Sequence, residues 1–440
     1  MKFDTYLKYK DIETVWLDKI PDEWHIDRMK NIGTVRGRVG WKALKASEYV
    51  DKSEYIFIAT PNIKYKDIDF KNVNYLTKER YDESPEIMLK KDDVVLTKDG
   101  STLGTVNIIK YLPSFTTVNS SIAVLRFKSV NSKFMHYQIK SEYIQNIVKL
   151  KKDGAGVPHL FQKDINDFQM LLPDISIQDK LVRYLDSNID KLDDAIILLE
   201  QRIQKYKELK QTLIKETVLR GLDKSVELQD SQTPWIGNIP KSWTTERLKN
   251  IFDERVGKNL DKETGEAVTA NILSVMKDIG VINHRDKGNV GNKMAEDITN
   301  YKLVHPNDIV VNKMNIMIGS VGISKEFGAL SVIYIILITK KDSYAKYYDY
   351  FFKMKAFQRS LRRIATGILE IREAVNMTLF MQEAMTVPPY EEQVDIANYL
   401  DEKTTKIDEI VKALGTKIDT LKEFRKTLIN DVVTGKVKVA

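Results

Sequence analysis

The sequence contains an internal repeat, and this constrains its fold more than any other feature. The stretch from Trp16, WLDKIPDEW followed by HIDRMKNI, returns 219 positions later as WIGNIPKSW followed by TTERLKNI. Eight of these seventeen positions are identical, tryptophans included. Such self-similarity predicts two copies of one structural unit.

The repeat continues along the chain with an offset close to 215. KKDDVVLTKDGSTLGTV (90–106) matches HPNDIVVNKMNIMIGSV (305–321), and LLPDISIQDKLVRYLD (171–186) matches TVPPYEEQVDIANYLD (386–401). Two copies that pack like a homodimer are related by a pseudo-two-fold axis. A duplication retained only for stability is the alternative.

The first part of each copy is predicted to be a β-rich globule. YIFIA, DDVVLT, VNIIKYL and SIAVLRF are short and rich in β-branched and aromatic residues, and DIVVNK, SVGIS and SVIYIILIT follow in the second copy. Turn-forming residues separate these segments, as strands require. A helix is expected at 131–151 and its counterpart at 344–364, so the predicted fold class is α+β.

The last part of each copy has the apolar period of a coiled coil. The predicted seam of the first copy consists of Leu185, Ile189, Leu192, Ile196, Leu199, Ile203 and Tyr206, followed after a phase shift by Leu209 and Leu213. Adding 215 gives Leu400, Thr404, Ile407, Val411, Leu414, Ile418, Leu421, Phe424 and Leu428. The two helices are expected to pair with each other, antiparallel, with the globules at opposite ends. Packing of each helix on its own globule is the alternative.

These patterns predict five segments. They are a first head (1–176), a first long helix (177–222), a linker (223–234), a second head (235–389) and a second long helix (390–435). The second helix is followed by VVTGKVKVA, and we expect these last residues to lie beside the first ones.

Few residues have the arrangement of a catalytic or metal site. The chain has no cysteine and five scattered histidines, so thiolate chemistry is excluded and metal binding is not expected. No phosphate-binding glycine loop is present. Val387-Pro388-Pro389-Tyr390 resembles an adenine-methyltransferase motif, but valine cannot accept from an amino group, and we interpret it as the start of a helix. No apolar run approaches a membrane span, and a cytoplasmic setting is expected.

Basic and polar segments are the candidates for a functional surface. Lys and Arg neutralise phosphates, and Asn, Arg, Lys and Ser read base edges. A solvated helix face is the ordinary alternative for such segments, and the net charge of +7 does not decide between them. The candidate DNA-binding residues are Arg36, Arg38, Trp41, Lys42, Lys98, Ser101, Thr102, Lys149, Lys151, Lys152, Arg255, Lys258, Lys313, Asn315, Lys355, Arg359, Arg362 and Arg363.

Together these features resemble the specificity subunits of type I restriction–modification enzymes. The resemblance is carried by the paired W-(I/L)-x-x-IP-x-x-W and R-(L/M)-K-N-I motifs and by the proline, glutamine and YLD residues that begin each long helix. It implies that each head is a target recognition domain for one half of a bipartite double-stranded DNA site. It implies that the antiparallel coiled coil sets the spacer between the halves.

The resemblance also implies partners. Two modification subunits would dock on the chain, bind S-adenosylmethionine and methylate adenines, and restriction subunits using ATP and Mg²⁺ can join. The specificity subunit itself would bind no cofactor and would not be catalytic.

Three other functions stay open from the residues alone. They are a free-standing DNA-binding or architectural protein, a coiled-coil scaffold, and an intrinsic methyltransferase, which would need a cofactor pocket.

Overall fold

The computed structural model of the chain describes residues 5–14, 16–38, 44–152, 159–289, 293–366 and 374–439. The chain forms two compact units. The first contains residues 1–200 and 416–440, and the second contains residues 201–415. Both boundaries fall inside the two long helices, so each unit holds one head and a part of both helices.

The first unit is mixed α and β. Its strands are β1 (Tyr9–Asp11), β2 (Lys19–Pro21), β3 (His25–Arg28), β4 (Gly33–Arg36), β5 (Tyr55–Ile58), β6 (Asn74–Leu76), β7 (Val94–Thr97), β8 (Val106–Ile108), β9 (Phe115–Val118), β10 (Ile122–Phe127) and β11 (Gln169–Leu172). Its helices are α1 (Met29–Ile32), α2 (Lys78–Asp82), α3 (Ser132–Lys140), α4 (Glu142–Lys152), α5 (Gln162–Asn166) and the first part of α6 (Ile175–Arg220).

The second unit follows a similar order. Its strands are β12 (Leu228–Asp230), β13 (Asn238–Pro240), β14 (Thr244–Arg247), β15 (Phe252–Glu254), β16 (Leu273–Met276), β17 (Gly280–Asn283), β18 (Lys302–Val304), β19 (Ile309–Asn312), β20 (Val321–Ile323), β21 (Gly328–Leu330), β22 (Tyr334–Thr339), β23 (Ala365–Thr366), β24 (Ala374–Val375) and β25 (Ala384–Val387). Its helices are α7 (Leu248–Ile251), α8 (Ala345–Lys353), α9 (Lys355–Ser360), α10 (Met377–Phe380) and α11 (Tyr390–Val433), whose last part belongs to the first unit.

Each head is built on the same antiparallel four-stranded sheet. Its strand order is β4-β10-β7-β8 in the first head and β15-β22-β19-β20 in the second. The apolar stretch SVIYIILIT forms the inner strand β22, where Ile335 and Leu337 enter one core and Tyr334 and Ile336 enter another. A strand buried on both faces reads as a continuous apolar run. The strands predicted from the repeat are confirmed.

The heads differ outside this shared sheet. The first head adds the sheet β6-β5-β9, in which β5 and β9 run parallel. The second head instead adds the hairpin β16–β17 and the pair β18–β21. The common sheet is therefore a scaffold that carries different additions in each copy.

Two short helices stand where one was predicted in each head. Ser141 separates α3 from α4 in an extended conformation, and its hydroxyl donates to the Gln138 carbonyl at 2.6 Å. Met354, which is also in an extended conformation, separates α8 from α9. After the break, the second helix of each pair packs on the loop that follows an inner strand of the sheet. This strand is β7 in the first head and β19 in the second.

Each long helix begins at a buried glutamine that holds the head to it. The Gln178 side chain accepts from the Asn131 N–H at 2.9 Å and donates to the Pro173 carbonyl at 2.7 Å. Gln393 accepts from the Tyr344 N–H at 2.8 Å and donates to the Pro388 carbonyl at 2.9 Å. The shared proline and glutamine of the repeat thus form one structural joint.

The aspartate of each YLD sequence forms a second joint, which we call the aspartate clamp. Asp186 on α6 accepts from the Tyr137 hydroxyl and the Lys133 ammonium of α3, both at 2.8 Å. In the second unit Asp401 accepts from the Tyr350 hydroxyl at 2.6 Å and pairs with Lys346. The Tyr350 hydroxyl also lies 3.2 Å from Thr404 Oγ1, which explains a threonine within the apolar seam.

The two long helices run antiparallel within each unit. In the first unit Asp193 of α6 pairs with Arg425 of α11, and Glu200 lies 3.8 Å from Lys422. In the second unit Lys210 of α6 bonds Asp408 of α11 at 2.6 Å. Residue numbers rise along one helix as they fall along the other, so the predicted antiparallel coiled coil is confirmed.

The seam differs from the predicted one at a single step in each helix. Leu209 and Phe424 are 52% and 42% exposed, and the predicted phase shift is wrong. Lys210 and Arg425 occupy the next seam positions and preserve the regular spacing of four and three. Each long basic side chain reaches an aspartate of the other helix, so the charge is paired where the pattern called for an apolar residue.

The beginning of the chain contacts its end, as predicted. The Tyr9 hydroxyl donates to the Gly435 carbonyl at 3.0 Å, and Tyr6 packs on the core that contains Val437. Gly435 lies against Trp24 as Gly221, at the end of α6, lies against Trp243. Each long helix therefore ends on the repeated tryptophan motif of a head.

The Asp193–Arg425 pair can be tested by exchanging its charges. The two side chains are only 9% and 11% exposed, and a buried charge that loses its partner costs about 3–5 kcal/mol. Arg425→Asp and Asp193→Arg are each expected to lower the thermal unfolding midpoint clearly. The double variant should recover part of the loss, because the charges are again opposite.

The neighbouring Lys426 provides a matched control for this exchange. It pairs with Glu423 on the same exposed helix face, and exposed pairs contribute about 0–1 kcal/mol. Lys426→Asp should therefore change the midpoint little. A double variant no more stable than the weaker single variant would contradict the role assigned to the pair.

Candidate nucleic-acid interface

A loop leaves the inner sheet strand of each head and is held in the same way in both. We call residues 98–104 and 313–319 the strand-exit loops; they follow β7 and β19. The Leu160 N–H donates to the Lys98 carbonyl at 2.8 Å, and the Val375 N–H donates to the Lys313 carbonyl at 3.0 Å. The two donors are 215 positions apart, and so are the two acceptors. The repeat therefore extends to this contact.

A glycine ends each strand-exit loop where a side chain cannot fit. Gly104 and Gly319 have φ values of +86° and +99°. A Cβ on Gly104 would lie 2.7 Å from Gln145 Oε1, and one on Gly319 would lie 2.9 Å from Asp278 Oδ1. The Gln145 amide donates to the Gly104 carbonyl at 3.0 Å, which fixes the loop to α4.

Several predicted residues of the first head gather around its strand-exit loop. Ser101 and Thr102 are exposed at the loop tip, and Lys149 is exposed on α4 beside Val148, which packs on Gly104. Arg36 is exposed at the end of β4, next to Gly37, which lies against the Lys98 side chain. The Lys98 ammonium is mostly covered and lies 3.5 Å from Asp99.

Four predicted residues of the first head cannot be placed by their side chains. Lys151 and Lys152 lie in α4, of which only the backbone is described at these positions. Trp41 and Lys42 lie outside the described residues.

Arg38 lies inside the first head. Its guanidinium donates to the Ser84 hydroxyl at 3.1 Å and to the Thr117 hydroxyl at 3.4 Å, and the residue is 5% exposed. Burial, with a smaller effect of the nearby Arg80 charge, lowers the pKa of the Arg38 guanidinium. Its hydrogen bonds support the fold, and we leave it out of the candidate surface.

The second head also places predicted residues on and beside its strand-exit loop. Arg359 on α9 and Arg362 directly after it are exposed. Lys313 and Asn315 belong to the strand-exit loop, and Asn315 is exposed. Lys355 lies 3.4 Å from Asp278 and donates to Gln358 at 3.2 Å. Because Gly319 packs on Asp278 and Gln358, the loop and α9 form one surface.

Arg363 is tied to the head. It pairs with the buried Glu383, and its guanidinium donates to the Ser360 carbonyl at 3.0 Å. Burial raises the pKa of the Glu383 carboxyl, and the Arg363 charge opposes this effect. Replacing Arg363 would leave a buried acid unpaired, so Arg362 is the cleaner probe of the surface.

Arg255 also has a structural partner. It makes two hydrogen bonds with the buried Asp308, at 2.6 and 2.9 Å, and the hydrogen bonding raises the pKa of Arg255. The equivalent acid of the first head, Asp93, is bonded by Arg126 at 2.7 and 2.6 Å. Arg126 comes from β10, whereas Arg255 follows β15.

Lys258, the neighbouring candidate, is exposed and donates to Asn300 at 3.0 Å.

One loop contact escaped the sequence analysis. The His159 imidazole pairs with Asp99 of the strand-exit loop, and its ring meets Phe161 edge-on at 4.4 Å. A lone histidine in the sequence carries no signal for such a contact. The three-dimensional fold alone brings residues 99 and 159 together.

In the described part of the chain, no group of three or more histidine, aspartate or glutamate side chains is arranged to hold a metal ion. Within the same ranges, no helix is long and apolar enough to cross a membrane.

The fold defines a class of protein, in which two related heads are carried by a pair of antiparallel helices. Residues 21–210 match the family described as the type I restriction modification DNA specificity domain. Residues 21–210 therefore resemble a DNA specificity domain of this kind, and relatives that match most of the chain are specificity subunits of type I restriction enzymes.

Relatives of this family match along almost the whole chain. The MjaVIII specificity subunit of Methanocaldococcus jannaschii is 21% identical over 437 residues, which cover 96% of this chain and 94% of that protein. The EcoKI specificity subunit of Escherichia coli K12 is 18% identical and covers 95% of this chain and 90% of that protein.

Solved structures share the fold. A chain from a study of complex assembly and conformational transition of the type I R-M system superposes with a TM-score of 0.68 and 15% identity. It covers 95% of this chain and 99% of that chain. The HsdS subunit of Thermoanaerobacter tengcongensis gives a TM-score of 0.53 and 14% identity, covering 95% and 98%. The predicted two-headed fold is thereby confirmed.

Two glycines of one loop allow the strand-exit geometry to be tested. Gly104→Ala should destabilise the first unit more than Gly100→Ala, because a Cβ at Gly104 meets Gln145 and Val148, whereas one at Gly100 meets nothing within 4 Å. Both positions have positive φ, which costs an alanine about 1–2 kcal/mol. Equal shifts of the thermal unfolding midpoint would show that the close packing at Gly104 is not important.

Proposed function

We propose that this chain is the sequence-reading subunit of a type I restriction–modification complex, and that its two heads read the two halves of one bipartite DNA site. The observation that carries the proposal is the strand-exit loop. It recurs in both heads on the same sheet, and in both its first residue accepts the same backbone hydrogen bond. The first head (1–176) and the second head (235–389) act as two target recognition domains.

The chemistry of the loop surroundings supports this function. Exposed hydroxyl and amide groups at Ser101, Thr102 and Asn315 suit hydrogen bonding to base edges. The exposed cations Lys149, Arg359 and Arg362 suit contacts with phosphates, which position a protein on the duplex without reading its sequence. Residues outside the common sheet differ between the heads, so the half-sites they read differ.

The long helices support docking of two modification subunits. Leu209 and Phe424 are equivalent in the repeat, and both are exposed large apolar side chains; Ile197 and Leu198 on α6 and Ile410 on α11 are exposed as well. A duplicated apolar position suits two copies of one partner. S-adenosylmethionine would be held by these methyltransferase subunits, and ATP and Mg²⁺ by restriction subunits where present. The complex would act in the cytoplasm, where the DNA is.

Mapping methylated adenines tests the proposal directly. The chain is co-expressed with its modification subunit in a host that lacks other adenine methylation, and the genome is sequenced with a method that detects N6-methyladenine. We expect one bipartite motif with a fixed spacer. Exchange of residues 235–389 for the head of another specificity subunit should change one half of the motif and leave the other half intact.

The same preparation separates the alternatives. Copurification with the modification subunit together with methylation favours the proposal. Sequence-specific DNA binding without any enzyme partner would indicate a free-standing DNA-binding protein. A purified complex that binds no duplex would indicate a scaffold.

Charge reversal at Arg362 tests the phosphate-binding surface. Arg362→Glu should weaken binding of the target duplex and reduce the slope of log K against log salt, because fewer counterions are released. Lys417→Glu on the exposed face of α11 changes the net charge equally and serves as the control. Equal affinities and slopes for both variants would exclude this surface from DNA binding.

The helix pair is expected to set the spacer. Insertion of seven residues after Glu200 and seven after Gly415 keeps the heptad pattern and adds about 10.5 Å to each helix. At about 3.4 Å per base pair, the preferred spacer should lengthen by at most about three base pairs. A four-residue insertion, which breaks the heptad phase, is the control, and an unchanged spacer in the heptad variant would contradict the role of the helices.

A further inference from the structure

The second head contains a cavity of about 420 Å³ beside its strand-exit loop. Its lining includes β16, from Leu273 to Met276, with Lys277 after it, and residues of the strand-exit loop and of the start of β22. Cavities of about 300–1,000 Å³ are typical of small-molecule sites. This cavity therefore has room for a planar heterocycle with its sugar and phosphate.

The interior of the cavity combines apolar and hydrogen-bonding groups. Val275, Ile333 and Tyr334 supply apolar surface, on which an aromatic base can pack. Ser274 is buried, and its hydroxyl lies 2.9 Å from Nδ1 of His284. Burial, with a smaller effect of Lys287, lowers the pKa of the His284 imidazole, so its neutral form is favoured. A serine and a neutral histidine can donate to and accept from the edge of a base.

The lining of the cavity includes three lysines. Lys277 and Lys293 are exposed, and Lys287 is half-buried. A group of lysines around an apolar cavity suits an uncharged ring that is linked to phosphates. The charge and the size of the cavity therefore point to a nucleotide rather than to an apolar ligand.

The strand-exit loop connects this cavity to the candidate DNA surface. Met314, Asn315 and Ile318 line the cavity, and these side chains are also exposed. Ile318 and Met314 are 50% and 42% exposed although apolar. Exposed apolar side chains that approach DNA can enter between base steps and unstack them.

We propose that this cavity receives one base that is turned out of the duplex bound by the second head. The base is distinct from the adenine that is methylated, which belongs to the modification subunit. Turning out a base requires it to be unpaired and unstacked, and contacts inside a fitted pocket offset this cost and select the base. The inference rests on the proposed function, because it needs the second head to bind DNA.

Fluorescent base analogues can detect such a base. Once the methylation motif is known, duplexes carry 2-aminopurine or pyrrolo-cytosine at single positions of the half-site read by the second head. The complete complex with its modification subunits is added to each duplex. We expect a several-fold rise of fluorescence at one position other than the methylated adenine.

A variant that fills the cavity and a matched control variant show whether the fluorescence signal comes from a base inside the cavity. Ile333→Trp fills the cavity, and Val332→Trp places the same side chain on the neighbouring position, which is 55% exposed and does not line the cavity. The signal should be lost in Ile333→Trp and kept in Val332→Trp. Lys277→Ala combined with Lys293→Ala changes only exposed residues, so it preserves the fold, and it should reduce the signal.

The outcomes separate this inference from the proposed function. Site-specific binding without a rise at any position would overturn the cavity proposal and leave the proposed function intact. A rise that persists in both Ile333→Trp and the double lysine variant would place the base elsewhere and also overturn it. A complex that binds no duplex would contradict both the cavity proposal and the proposed function.

Discussion

The antiparallel pairing of α6 with α11 is the interaction on which the rest of the structure depends. Each unit contains parts of both helices, so neither head has its complete core without the distant half of the chain. The first core includes Leu428 and Val432 of α11 together with Leu181 and Leu185 of α6. The second core likewise combines Ile214 and Val218 with Ile396 and Leu400.

Charged residues within the seam give this pairing a direction. An apolar seam alone permits several registers and both orientations, whereas a polar residue at a seam position favours the arrangement in which it finds its partner. Lys210 and Arg425 find Asp408 and Asp193 only when the helices run in opposite directions and in one register. The aspartate clamps then fix each head to the helix that follows it.

Much of this architecture could be predicted from the sequence, because it is written in local periodicity and in repetition. The strands of the common sheet, the long helices and the contact between the ends of the chain were all accessible in this way. The seam step at Lys210 was not, because its partner lies 198 residues away and the adjacent Leu209 satisfied an apolar pattern. Arg38 was placed on the candidate surface for a similar reason. Its charge is visible in the sequence, but its partners Ser84 and Thr117 are distant.

The buried acid of each head shows what a duplicated fold preserves. Asp93 and Asp308 hold the same place, yet the arginine that neutralises them comes from β10 in one head and from the end of β15 in the other. What has been kept is a paired charge in the core, and the strand that supplies the cation has been free to change. At the offset of 219 positions Arg255 is matched with Arg36 and not with Arg126, so a position-by-position comparison of the two halves misses this shared ion pair. Sequence identity between the halves therefore understates how many of their stabilising interactions they share.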